Sequence, residues 1–290
     1  MISRKSPVVK LIECPRDAMQ GWKEFIPTTD KIEYINSLLQ VGFDTIDFGS
    51  FVSPKAIPQM VDTKNVVLNL NLENSTTKLL AIVANVRGAE DACNFNQITY
   101  LGFPFSISET FQKRNTNSSI SESLKTVQQI HELCQKCDKE LVVYMSMAFG
   151  NPFGDEYNQD VLYQWTGEII NRGIRIVSLS DTVGVATPEQ ISTALQTLLP
   201  HYTSVEFGVH LHSTHENWRA KTEAAFVKGC NRFDGALKGI GGCPMANDEL
   251  VGNMDTEWLV GYFKEQNALP SLNFEAFQKS AAIATKIFGL

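Results

Sequence analysis

His210 and His212 stand one residue apart at the end of an apolar run, 205–211, rich in β-branched side chains. Such a run reads as a strand. Alternate residues of a strand leave from the same face, so both imidazoles point the same way. Together with the carboxylate of Asp17 they would offer one oxygen and two nitrogens. That donor set suits Mg2+, Mn2+, Zn2+ or Fe2+ and leaves positions open for a substrate. The alternative is a pair of histidines that only lines a strand end through hydrogen bonds. His215 is close by and reads as a loop residue.

Other residues in reach could complete the chemistry. Arg16, beside Asp17, could stabilise a developing oxyanion or form a structural ion pair. Asp47 and Asp181 could serve as bases, could orient metal ligands, or could cap and bridge. The stretch Lys238-Gly239-Ile240-Gly241-Gly242-Cys243-Pro244 is glycine-rich and ends in a thiol. Glycines let a loop approach a ligand or hinge over it. Cys243 there could exchange a proton or act as a nucleophile, or it could be incidental to a plain turn. The spacing matches neither a phosphate-binding loop nor a dinucleotide fingerprint. The segment 51–55 could form a substrate loop or a solvated turn.

The elements that must position these residues alternate along the chain. Strands are expected at 8–14, 45–49, 79–83, 97–102, 141–147, 174–180, 205–211 and 232–237. Helical patterns run over 30–40, 119–136, 158–171, 188–199 and 218–228, with Thr187 as N-cap ahead of Pro188. The stretch 65–78 has no clear pattern. Eight strands alternating with helices predict a (β/α)8 TIM barrel with an additional C-terminal helix at about 273–288. In such a barrel the active residues gather where strands end and βα loops begin. Asp17, Asp47, Asp181, His210, His212 and Cys243 all fall at such positions. No linker or low-complexity tract divides the chain, so residues 1–290 read as one domain.

Composition bounds the rest. The chain has 290 residues, 43% of them hydrophobic, with 25 Lys and Arg against 32 Asp and Glu, a net charge of −7. That balance argues against a nucleic-acid surface, though local cations can still hold an anionic small substrate. No apolar run approaches a membrane span, and no leader pattern is seen. The cytoplasm is therefore expected, and the six cysteines are expected to be reduced. Cys134-Gln135-Lys136-Cys137 matches C-x-x-C but lies in a helical pattern, so it reads as ordinary helix residues.

Over nearly its whole length the chain resembles the hydroxymethylglutaryl-CoA lyases, within the metal-dependent TIM-barrel lyases and Claisen-type synthases. The resemblance rests on Pro15-Arg16-Asp17 with Gln20, Ser50 to Lys55 with Pro58-Gln59-Met60, and Ser178 to Gly184 with Thr187-Pro188. It rests further on Val209-His210-Leu211-His212, Gly241-Gly242-Cys243-Pro244 and Gly252-Asn253. It implies a divalent metal, Mg2+ or Mn2+, held by Asp17, His210, His212 and Asn253. It implies that Arg16 neutralises a thioester enolate and that Cys243 exchanges a proton. The implied reaction cleaves 3-hydroxy-3-methylglutaryl-CoA to acetyl-CoA and acetoacetate, as in leucine degradation, and relatives suggest a homodimer. Lys23, Lys55, Lys113 and Arg114 are candidates for the phosphates of an acyl-CoA substrate, with surface solubility the alternative for each. Lys286 stands where a basic tail would end. The chain departs from the family pattern at Ala18 for Gly, Asp47 for Glu and Ser213 for Asp. Two other functions remain open: an aldolase or condensing enzyme acting on another acyl-CoA or a ketoacid, and a non-catalytic acyl-CoA-binding relative.

Overall fold

The computed structural model describes residues 8–242 and 251–290. Strands β1 (Lys10–Glu13), β2 (Thr45–Ser50), β3 (Lys78–Ile82), β4 (Ile98–Ser106), β5 (Glu140–Ser146), β6 (Ile176–Ser180), β7 (Glu206–His210) and β8 (Arg232–Gly235) pair side by side in chain order. All pairs are parallel, and β8 returns to β1 to close a barrel. The expected (β/α)8 barrel is thus present. The register sets Ser180 beside His210, and His210 beside Asp234. One layer at the carboxyl ends of β6, β7 and β8 therefore carries polar side chains.

The helices among the described residues are α1 (Pro15–Gln20), α2 (Thr28–Leu39), α3 (Thr63–Leu68), α4 (Val86–Cys93), α5 (Glu109–Thr116), α6 (Ile120–Lys136), α7 (Gln159–Ile170), α8 (Pro188–His201), α9 (Trp218–Phe226), α10 (Thr256–Glu265) and α11 (Phe274–Phe288). The long ones match the sequence pattern. Thr187 caps α8 as expected, its hydroxyl accepting from Gln190 N while Gln190 accepts from Thr187 N, a reciprocal pair that satisfies two free amides. Ser119 and Glu122 do the same for α6. The sequence pattern misses α1, α3, α4, α5 and α10. The first four have six to eight residues, too few turns to show an apolar stripe. Phe103, Phe105, Phe207 and Phe233 belong to one buried cluster with residues of α6, α8 and α11. A smaller cluster joins Leu80, Ile82, Tyr100, Val142, Tyr144 and Ile176, contributed by β3 to β6.

One cysteine expectation is corrected. Cys93 and Cys137 form a disulfide, whereas Cys14, Cys134 and Cys230 are free and buried. Cys93 ends α4 and Cys137 caps α6, and the packing of these helices brings their Cα atoms to 5.9 Å across 44 residues. The partner of Cys137 is therefore set by tertiary packing and not by the C-x-x-C spacing.

Glu13, the last residue of β1, is fully buried. Its carboxylate accepts from Leu237 N at 2.8 Å and from Thr256 Oγ1 at 2.6 Å. Burial pushes its pKa up to about 8 against those two bonds, with Asp255 and Glu257 adding to the rise. Across the interval from its ordinary value to 8 the folded chain keeps a proton that the unfolded chain has released. Stability must then fall as pH rises through that window. Glu13→Gln removes the titration, so its melting temperature is expected to fall less than that of the parent chain between about pH 5 and 8. Parallel melting profiles would contradict the raised pKa.

Candidate active site

The site is assembled at the carboxyl ends of the strands. Pro15 opens α1 directly after β1, at the helix position where its missing N–H costs nothing. This places Arg16 and Asp17 in the first turn, both buried. Asp17 Oδ1 accepts from Arg16 Nη1 at 3.0 Å and from Gln20 Nε2 at 2.6 Å. Asp17 Oδ2 accepts from Asn253 Nδ2 at 2.6 Å and lies 4.0 Å from His210 Nε2. Donor atoms of Asp17, His210 and His212 all lie within 4.8 Å of one another.

Both imidazoles are oriented from behind. His210 Nδ1 bonds Asp234 Oδ2 at 3.1 Å, and His212 Nδ1 bonds the carbonyl of Val251 at 2.8 Å. Each ring thus spends Nδ1 on the protein and leaves Nε2 for a ligand, the arrangement found around protein-bound metals. Burial, and then the charge of His210, push His212 down to about 4, so this ring is neutral and ready to donate a lone pair. Burial would also lower His210, but the hydrogen bond and charge of Asp234, with Asp17, outweigh it and raise its pKa. Burial alone would raise Asp17; Arg16 and the two histidines more than offset it and hold the carboxyl below its usual range. A divalent cation would take over the role of the His210 proton.

Asn253, implied by the resemblance alone, lies beside His212 in an antiparallel bridge. Its Nδ2 donates to Asp17 Oδ2 and to the carbonyl of Ile240 at 2.8 Å. Both amide hydrogens are used, which leaves Oδ1 as a free acceptor. Two imidazoles, a carboxylate and an amide oxygen are a donor set that fits Mg2+ or Mn2+. Gly241, at φ +104°, passes over this cluster: a Cβ there would come within 2.7 Å of Asp17 O and 2.6 Å of Asn253 Nδ2. Only glycine can make that approach. Cys243 and Pro244 follow it in sequence and lie outside the described residues.

A cavity of about 480 Å3 opens onto Arg16, Asp17, His210 and His212. Val52, Ile82, Pro104 and Tyr144 give it apolar surface, and Arg114, Asn115 and Asn117 give it polar surface. Of the four expected phosphate contacts only Arg114 lines it, its guanidinium 4.5 Å above the Phe153 ring. Lys113 is exposed and paired with Glu109 at 3.1 Å. Lys23 and Lys55 are exposed and do not line the cavity. Lys286 borders a separate small groove with Glu24, Asp30 and Glu33, an acidic setting unsuited to phosphate. His215 packs against Trp258, 5.7 Å between ring centroids.

Asp47 and Asp181 are expected at the site as bases, as orienters of ligands or as structural partners. Neither lines the cavity. Asp47 receives Arg16 Nε and Nη2, the latter at 2.6 Å, and burial pushes its pKa up to about 6 against that arginine. Asp181 accepts from Lys221 Nζ at 2.7 Å and from Ala186 N at 2.9 Å. The same lysine donates to the carbonyl of His212 at 2.8 Å. Each aspartate neutralises a buried cation, Arg16 for Asp47 and Lys221 for Asp181, an arrangement that suits positioning. Asp234 and Lys221 escaped the sequence reading. Arg232 and Asp234, two apart in a strand buried at every position, were the available signal for an inward polar stripe.

Asp234→Asn keeps the shape but alters the hydrogen bond that fixes the His210 ring. Mn2+ affinity measured by titration calorimetry is expected to fall by about 10–100-fold. Unchanged affinity would show that Asp234 does not orient that ligand.

Comparison with known proteins places this geometry. A family model described as HMGL-like matches residues 9–283. The chain is 33% identical over 267 residues to a hydroxymethylglutaryl-CoA lyase of Bacillus subtilis, covering 92% of this chain and 88% of that protein. It is 32% identical to the cytoplasmic 3-hydroxy-3-methylglutaryl-CoA lyase of Rattus norvegicus, covering 87% of this chain and 73% of that one. Among solved structures, an HMG-CoA lyase from Acenitobacter baumannii in complex with coenzyme A and 3-methylmalate superposes with a TM-score of 0.90 at 28% identity, covering 100% of this chain and 93% of that one. With the barrel closed, the four donor residues gathered and the match running almost end to end, the chain belongs to the HMGL-like family.

Proposed function

We propose that the protein is a divalent-cation-dependent carbon–carbon lyase that cleaves 3-hydroxy-3-methylglutaryl-CoA to acetyl-CoA and acetoacetate. The observation that carries this reading is the cluster of Asp17, His210, His212 and Asn253 with Arg16 beside it on one cavity. These four residues would hold Mg2+ or Mn2+. Such an ion, when bound, supplies Lewis acidity and orients oxygen atoms of the substrate.

The chain's own residues divide the remaining work. Arg16 is fixed through Nε and Nη2 by Asp47 and through Nη1 by Asp17. A guanidinium held this way is pre-organised to receive the enolate oxygen released when the C2–C3 bond breaks. Cys243 would then return a proton to the enolate carbon. The hydroxyl proton must leave through another group or a water in the cavity, because the oxygens of Asp17 are already engaged by Arg16, Gln20 and Asn253. Arg114, which lines the cavity with its guanidinium over Phe153, would meet a phosphate of the CoA moiety. Tyr144, Ile82 and Pro104 offer apolar surface to the acyl group. No helix among the described residues is long and apolar enough to cross a membrane. We place the enzyme in the cytoplasm as a homodimer acting in leucine degradation.

The test is acetoacetate release from 3-hydroxy-3-methylglutaryl-CoA with added Mg2+ or Mn2+. Release that stops on addition of EDTA is expected. A folded, cation-loaded chain that releases none would refute the assigned substrate and point to Ala18, Asp47 and Ser213 as marks of another one. Cys243→Ser is expected to slow turnover by about 10²–10⁴-fold, the range for loss of a general acid, while Mn2+ binding persists. Turnover at the parent rate would remove Cys243 from the mechanism.

A further inference from the structure

Asn253 reaches the site on an arm with little secondary structure of its own. Residues 251–255 wedge between the ends of β7 and β8. Met254 N bonds Leu211 O at 3.1 Å, Ser213 N bonds Gly252 O at 3.0 Å, and Ala236 N bonds Met254 O at 2.9 Å. The outgoing stem, 238–242, has positive φ at four of its five residues: Lys238, Gly239, Gly241 and Gly242. Lys238 pays a steric penalty in that conformation, and the glycines confer freedom rather than shape. Something outside the segment has to fix both of its ends.

One side chain touches both. Glu13 accepts from Leu237 N, where the outgoing stem begins, and from Thr256 Oγ1, where the returning arm enters α10. These contacts span 224 and 243 residues of sequence. Thr256 is three residues from Asn253, and Leu237 is four from Gly241, which packs on Asp17 and Asn253. No group of Glu13 lines the cavity. We infer that Glu13 is a positioning residue for the cation site: its carboxyl clasps the two stems and so sets Asn253 against Asp17 and His212. The inference rests on the reading of that cluster as a cation site.

The clasp does not require a charge on Glu13. Burial favours its neutral form, and a neutral carboxyl can accept from Leu237 N and donate to Thr256 Oγ1. The amide of Glu13→Gln can make the same two bonds. Glu13→Leu can make neither, and Thr256→Val removes one of them while keeping the side-chain shape.

The experiment measures Mn2+ affinity of the full chain by the electron paramagnetic resonance signal of free Mn2+. Glu13→Gln is expected within about twofold of the parent chain, and Glu13→Leu about tenfold weaker or more, the range for outer-shell partners of a metal. Thr256→Val is expected to lie between them. In an Asn253→Ala background, Thr256→Val is expected to cause no further loss, because residues acting through one group are not additive. A general loss of stability would not reproduce that pattern. If Glu13→Leu does not fold, Thr256→Val decides. Thr256→Val at parent affinity overturns the inference, as does an additive loss in the Asn253→Ala background. A parent chain that takes up no Mn2+ overturns the cation reading itself, and the clasp with it.

Discussion

The carboxylate of Asp17 is the charge around which the site is built. It is buried, and it accepts from Arg16, Gln20 and Asn253 while facing His210. A buried carboxylate is tolerated only when its lone pairs are met. The partners come from three parts of the chain: Arg16 and Gln20 from the first helix, Asn253 from the arm after β8, and His210 from the end of β7. Satisfying one anion therefore draws together the donors that a divalent cation needs. Removing a single partner would leave charge uncompensated in a dry place, which is far costlier than the net worth of any one bond.

The same logic extends outward. Arg16 is a buried cation balanced by Asp17 and Asp47. Lys221 is a buried cation balanced by Asp181, and it also holds the backbone of His212. Asp234 fixes the ring of His210. These aspartates and the lysine make no contact with the cavity, yet they decide where its ligands point. Sites held by such outer partners are stiff, and stiffness is what stabilisation of a developing enolate demands, since donors that must reorganise lose their advantage.

Much of this was legible in the sequence. The eight strands announce themselves because each is buried on both faces and reads as a short apolar run. His210 and His212 are legible because period two on a strand fixes their common face. Asp17 is legible because it directly follows the first strand. Asn253 is different. Its arm is neither strand nor helix, and its place depends on Glu13, Leu211 and Ala236, residues far away in sequence. Asp47 lies within β2 and Asp181 directly after β6, as the sequence places them, and neither lines the cavity. Residue type and position locate a carboxylate; only the cation it meets, Arg16 or Lys221, tells whether it faces the cavity. The Cys93–Cys137 bond is hidden for the same reason, because it depends on two helices packing together.

The central claim is that Asp17, His210, His212 and Asn253 hold one divalent cation at the mouth of the barrel. The most direct test is a crystal structure of the protein soaked in Mn2+, with an anomalous difference map. The account predicts a single strong peak bonded to Asp17, to Nε2 of both histidines and to Oδ1 of Asn253. A peak elsewhere, or a well-ordered site that stays empty at saturating Mn2+, would contradict it.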